Sequence, residues 1–254
     1  MHMSQFTFRI NKKRVGIYLA IIAAIYAVLF IIVIAIGDYE LTLAINQWQT
    51  TFPTWFRDLA KFYTKYGYYI FGITGIVVAL LSFYSPKFEK LKPYRVMFLG
   101  LVYGFVVSWC FTEVLKILVG RVRPFVQHEG DFDTYGVGDS YSSLPRSNES
   151  FPSGHANSAF GMSGALMARV KNWGWRILFY AYAITMAFSR PFFGVHYVTD
   201  ILAGSLIGLA CSLGFYVFFE YINAKGKLSE KTQKILFLGA LVLAFVSIII
   251  SLLE

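Results

Sequence analysis

Seven apolar stretches punctuate the chain, at residues 15–36, 68–84, 96–119, 153–168, 173–189, 201–219 and 235–253. About 20 apolar residues wound as a helix cross the ~30 Å hydrocarbon layer of a bilayer. Inside that layer only a helix or a closed barrel satisfies its own backbone. Five of the runs approach this length, and those at 153–168 and 173–189 are shorter. The expected fold class is all-α, a polytopic membrane helical bundle. We expect a single membrane-embedded domain over 1–254, with its motif-bearing core at 96–222 and an additional C-terminal span at 235–253.

Composition agrees, since 57% of the 254 residues are hydrophobic and only 15% are charged, far from a soluble average. The first run follows Arg9, Lys12, Lys13 and Arg14 as a secretory signal would. It is too long for one, and no small-residue cleavage site precedes Gly37-Asp38, so it reads as a retained anchor. Met1-His2-Met3 reads as a cloning remnant, and His2 is set aside. A net charge of +9 raises the question of nucleic acid, but its distribution follows the membrane. With the N-terminus inside, Arg9 to Arg14, then Lys87, Lys90, Lys92 and Arg95, then Arg169, Lys171 and Arg176, then Lys225, Lys227, Lys231 and Lys234 all fall inside. Outside, Arg57, Lys61 and Lys65 are balanced by Asp38, Glu40 and Asp58, and Arg121, Arg123 and Arg146 are outnumbered by Glu129, Asp131, Asp133, Asp139 and Glu149. That is the positive-inside asymmetry, and no nucleic-acid partner is expected. Cys110 and Cys211 fall within apolar runs as packing residues, with no cysteine cluster for a metal.

Residues 38–67 are too polar to cross but carry Trp48, Phe52, Trp55, Phe56 and Phe62. An amphipathic segment of this kind lies in the interface, either as an anchoring collar or as a lip around a lipid entrance. Residues 121–152, rich in Gly, Ser, Asp and Asn, form the longest soluble loop. Its His128, Glu129, Asp131 and Asp133 either shape substrate choice or are simply solvated, the second being the default.

Three clusters carry chemistry, and the charge-derived topology puts all of them on the outer side. The first, Lys116 through Arg123-Pro124, closes the third run; a lysine in an apolar helix costs up to about 3 kcal/mol near the bilayer centre and calls for an anion. The second, Pro152-Ser153-Gly154-His155, opens the fourth run, where free N–H groups and a positive helix terminus make an anion site. The third runs from Ser189-Arg190 through His196 to Asp200. If a helix begins near His196, Asp200 lies one turn on, able to take the Nδ1 proton and leave Nε2 free. Each cluster alone has a bland structural reading. Together they supply what phosphoryl transfer needs: Lys116, Arg123 and Arg190 with Ser153 and the N–H of Gly154 for the oxygens, and His155 and His196 as nucleophile and acid. Spacing alone leaves open which histidine does which.

These residues resemble the type 2 phosphatidic acid phosphatases, which share an active site with bacterial acid phosphatases and vanadium haloperoxidases. The match comprises Lys116, six residues, Arg123-Pro124; Pro152-Ser-Gly-His155; and Ser189-Arg190, five residues, His196, three residues, Asp200. The resemblance implies a helical bundle of commonly six spans, so that six or seven are expected here. It further implies a phosphohistidine mechanism with His196 as nucleophile, no metal or other cofactor, and inhibition by vanadate. The expected activity is hydrolysis of a phosphate monoester or diphosphate on a lipid head group at the outer face of a bacterial inner membrane, with undecaprenyl diphosphate among the compatible substrates. The expected partners are that phosphorylated lipid and membrane lipids. The rival readings are a lipid-to-lipid phosphotransferase using the same site and a non-catalytic anionic-lipid transporter.

Overall fold

The computed structural model describes residues 12–143 and 146–253; His2 and Arg9 lie outside the described residues. The chain forms α1 (Lys12–Ile36), α2 (Asp38–Thr50), α3 (Thr54–Tyr84), α4 (Arg95–Val119), a short α5 (Pro124–Gln127), α6 (Gly154–Arg169), α7 (Trp173–Phe192), α8 (Val198–Ala224) and α9 (Glu230–Leu253). Turns of 3-10 helix occupy Pro86–Tyr94, Gly138–Tyr141 and Arg146–Asn148, and the described residues contain no strand. The all-α expectation holds, and each of the seven apolar runs is helical.

Four stretches, Gly16–Ile36, Thr54–Tyr84, Pro86–Gln127 and Val198–Ala224, are long and apolar enough to cross a membrane, as befits a membrane protein. Their outer faces carry Ile34, Ile73, Ile117 and Leu118, each more than half exposed. Such a surface suits hydrocarbon, where side chains of this kind have no water to avoid. The 16 residues of α6 reach only about 24 Å at 1.5 Å each, so the count of six or seven spans stays an expectation.

The centre is a three-helix packing of α4, α6 and α8, made possible by small residues on α8. A Cβ at Gly208 would stand 2.2 Å from the Asn157 carbonyl oxygen, and one at Gly204 would stand 2.3 Å from that of Ser153. Only glycine lets the two backbones come this close, and the contact fixes the start of α6 against the start of α8. At the other end of α4, the C-terminal helix α9 docks on α3 and α4. There Phe237 stacks on Phe83 with ring centroids 4.5 Å apart, Tyr103 donates to the Leu236 carbonyl at 3.1 Å, and Arg95 meets Glu230 at 2.9 Å.

The interfacial segment expected at 38–67 is divided. α2 forms its first part, the chain breaks at Phe52-Pro53, and α3 takes residues 54–67 into one helix of 31 residues. Pro53 bars Phe52 from helical geometry, whereas from Thr54 on nothing interrupts the helix until Ser85-Pro86. α7 likewise continues through Pro191 to Phe192, past the expected end at Ser189. Cys110 lies on an exposed face of α4 and Cys211 is half-buried on α8.

Candidate active site

The site forms where α4 ends and α6 and α8 begin. α4 stops at Gly120, whose φ of 58° is the left-handed geometry of a helix C-terminus. The turn throws the two following arginines in different directions. Arg121 lies across the Tyr197 ring at 3.9 Å and donates to Thr199 Oγ1 and Asp200 Oδ1, both at 2.7 Å, and to Asp38 Oδ2 at 2.9 Å. Asp38, the first residue of α2, also takes the Thr199 backbone N–H at 3.0 Å. α2 is thereby latched to the start of α8. Arg123, 3% exposed, turns inward instead. It donates to the carbonyls of Arg146 (2.7 Å), Val195 (2.9 Å) and Glu149 (3.2 Å), and its Nη1 stands 3.0 Å from His196 Nε2.

His196 sits in the turn between α7 and α8, and α8 starts only at Val198 with Tyr197 as its cap. The geometry expected for Asp200 therefore differs. His196 Nδ1 stands 2.7 Å from the Ser150 carbonyl and 3.5 Å from Asp200 Oδ2. Asp200, completely buried, is already engaged by Arg121, by Ser150 Oγ at 2.5 Å and by the Tyr197 backbone N–H at 2.8 Å. The Nδ1 proton goes to a main-chain oxygen because Ser150 lies between, and the carboxylate acts through Ser150. The tautomer consequence is unchanged: Nδ1–H donates to the carbonyl, and Nε2 is the lone-pair nitrogen that accepts from Arg123. Burial first, then the charges of Arg123, Arg190 and Lys116, hold His196 well below the ordinary histidine pKa, so its ring is neutral.

α6 opens with Ser153 as its cap, its Oγ accepting from Ala156 N at 3.5 Å, while the Ser153 N–H is held by the Asp200 carbonyl at 3.0 Å. The first N–H groups after the cap, those of Gly154 and His155, have no acceptor within the helix. Lys116 hangs above them, its Nζ 3.6 Å from where a Gly154 Cβ would lie. The offsetting anion that Lys116 was expected to need is Glu113, at 2.8 Å on the preceding turn. His155 is half-buried, stands edge-on to Tyr68 with centroids 4.9 Å apart, and feels the charges of Arg190, His196, Lys116 and Arg123.

Arg190, near the end of α7, is 1% exposed. Its Nη1 donates to Thr64 of α3 at 2.8 Å and its Nη2 to the Tyr141 hydroxyl at 3.1 Å, while its Nε has no partner among the described residues. The structure thus brings together Lys116, Arg123, Ser153, Gly154, His155, Arg190 and His196, and sets Asp200 behind them. Tyr141, Ser150 and Thr64 were missed. Tyr141 and Thr64 lie outside the motifs, Ser150 stands two residues before Pro152 without being part of one, and only tertiary folding gives the three their places. Tyr141 comes from the long loop, its ring 4.1 Å from the Arg123 guanidinium and 5.5 Å from that of Arg190. Burial alone would raise its pKa, but Arg190, Arg123 and Lys116 more than offset this and leave the phenol below its usual value.

The loop is not simply solvated. The Asp133 carbonyl accepts from Asn46 at 2.8 Å and from Gln49 at 2.9 Å, and its carboxylate pairs with Arg57. Tyr39 donates to Asp131 at 2.7 Å and packs at a tilt against His128 with centroids 4.4 Å apart, and Tyr135 donates to Asp58 at 3.0 Å. These side chains strap the loop to α2 and α3, which is the task found for His128, Asp131 and Asp133.

Among known proteins, the undecaprenyl-diphosphatase of Sulfolobus acidocaldarius is 31% identical over 153 residues, 60% of this chain and 65% of the relative, so the match spans just under two thirds of that protein's length. The lipid A 4'-phosphatase of Bacteroides thetaiotaomicron is 25% identical over 194 residues, 70% of this chain and 84% of the relative. Among solved structures, Aquifex aeolicus LpxE aligns over 69% of this chain and 92% of its own at 21% identity, with a TM-score of 0.49. The sequence model of the PAP2 superfamily matches residues 95–224, the stretch from the start of α4 to the end of α8 that holds the three motifs, and the chain belongs to that superfamily.

Proposed function

We propose that this protein hydrolyses a phosphate monoester or diphosphate on a lipid head group, through a phosphohistidine on His196 and without a metal. The observation that carries the reading is the convergence of two arginines without carboxylate partners among the described residues, Arg123 and Arg190, with Lys116 on the neutral, tautomer-fixed His196 beside the start of α6. Arg123, Arg190 and Lys116 neutralise the equatorial oxygens, and the N–H groups at the start of α6 add to them. His196 Nε2, parked on Arg123, is released when a phosphoryl oxygen takes that N–H. It then forms the N–P bond as the P–O bond to the leaving group breaks, and His155 protonates the departing oxygen. His155 next takes a proton from water, which attacks phosphorus and frees phosphate and His196.

Relatives named undecaprenyl-diphosphatase and lipid A phosphatase and the apolar helix surfaces favour a lipid substrate. The positive-inside charge pattern supports a site on the outer face of a bacterial inner membrane, within a seven-span topology. The test is phosphate release from a panel of lipid monophosphates and diphosphates in detergent, with EDTA present. Release is expected for the wild type and a loss of at least about a thousandfold for His196→Ala. A folded His196→Ala protein with wild-type turnover would refute the mechanism.

A further inference from the structure

We infer that Tyr141 is a substrate-contacting residue of this site, its hydroxyl donating to a phosphoryl oxygen held between Arg123 and Arg190. The inference deepens the phosphatase reading and rests on it. The phenol oxygen accepts from Arg190 Nη2 at 3.1 Å. Among the described residues nothing accepts the phenol's own proton. The charged groups that face it are Arg190, Arg123 and Lys116, all donors. A hydroxyl proton in a ring of cations lacks an acceptor until an anion arrives. Arg190 shows the same deficit, with its Nε unpartnered although the side chain is 1% exposed. Two unsatisfied donors from different elements, one on α7 and one on the loop, therefore point to one absent acceptor.

The fold holds Tyr141 there deliberately enough to matter. Its ring rests on the Arg123 guanidinium at 4.1 Å, a cation–π contact that orients both groups. The preceding loop is tied to α2 and α3 by Asp131, Asp133 and Tyr135, and the following segment is gripped by Arg123 through the carbonyls of Arg146 and Glu149. With both flanks fastened, the 3-10 turn Gly138–Tyr141 dips back to the site. No step of the transfer changes: the phenol adds a hydrogen bond to a non-bridging oxygen, and its proton stays on it.

The experiment compares wild type, Tyr141→Phe and Tyr141→Ala, using vanadate as phosphoryl mimic against hydrolysis of a lipid diphosphate. Phenylalanine keeps the ring on Arg123 and removes only the hydroxyl. Vanadate inhibition is expected to weaken about tenfold in Tyr141→Phe, the loss of one hydrogen bond to a charged acceptor, and further in Tyr141→Ala, with the thermal unfolding of Tyr141→Phe unchanged. Unchanged vanadate affinity in Tyr141→Phe would overturn the proposal and leave the ring a packing element. Tighter binding would also overturn it, because the phenol would then be a competitor for the arginines. Failure of the wild type to hydrolyse any lipid phosphate, or to be inhibited by vanadate, would instead overturn the phosphatase reading beneath it.

Discussion

At the scale of single residues, the proposed mechanism separates charge that holds structure from charge that holds substrate. Arg121 is committed to Asp38 and Asp200, whereas Arg123 two positions on is fixed by carbonyls, a histidine nitrogen and the Tyr141 ring. That division sets the pH behaviour. In the proposed mechanism His196 must be neutral to attack, and burial with Arg123, Arg190 and Lys116 keeps its pKa well below the ordinary value. On acidification, kcat/KM should therefore hold through pH 6.5 and fall only well below it. In Lys116→Gln one of the depressing charges is gone, so the acid limb should move up in pH while burial and the two arginines still act. A pH profile of kcat/KM, corrected for ionisation of the substrate, reads this directly; a wild-type acid limb already centred at 6.5 would contradict it.

At the scale of elements, precision comes from helix ends pressed together. The close approach of α8 to α6 at Gly204 and Gly208 places the anion-binding start of one helix beside the histidine that precedes the other. Gly208→Ala forces a Cβ into the Asn157 carbonyl and should cost roughly 1–3 kcal/mol or more, with activity falling as the start of α6 shifts. Gly214→Ala, on the same helix but with open space around it, should unfold at the wild-type temperature or slightly above it. Thermal unfolding of both in detergent makes the comparison. The helices and the three motif clusters were legible in the sequence because apolar length and residue spacing are local properties. The break at Pro53 was written there too, but the aromatic side chains of 54–67 masked the continuous helix behind it. The role of Ser150 between His196 and Asp200 was not legible, because spacing along a presumed helix could not show that His196 lies just outside it. Tyr141 was invisible for a related reason: an aromatic in a polar loop carries no period, and only the anchoring of the loop to α2 and α3 gives it a place.

At the scale of the whole molecule, the bundle presents lipid-facing apolar helices with one polar end built from the ends of α4, α6, α7 and α8, and α2 and the strapped loop close over it. The inside-positive distribution of charge fits that end facing outward, and α9 packs at the opposite end of α4. The unpaired arginines have a further consequence, which concerns how the reaction ends rather than how it begins. In the proposed reaction, a pocket whose two buried guanidinium groups have no carboxylate partner among the described residues will hold the freed inorganic phosphate about as readily as the ester it came from. Departure of the product, not bond cleavage, is then the slow part of the cycle, as in many enzymes with fast chemistry. Inorganic phosphate should inhibit competitively, and a burst equal to one phosphate per protein should precede the steady rate in rapid-quench measurements. A linear time course from the first turnover would place the slow step at the chemistry instead.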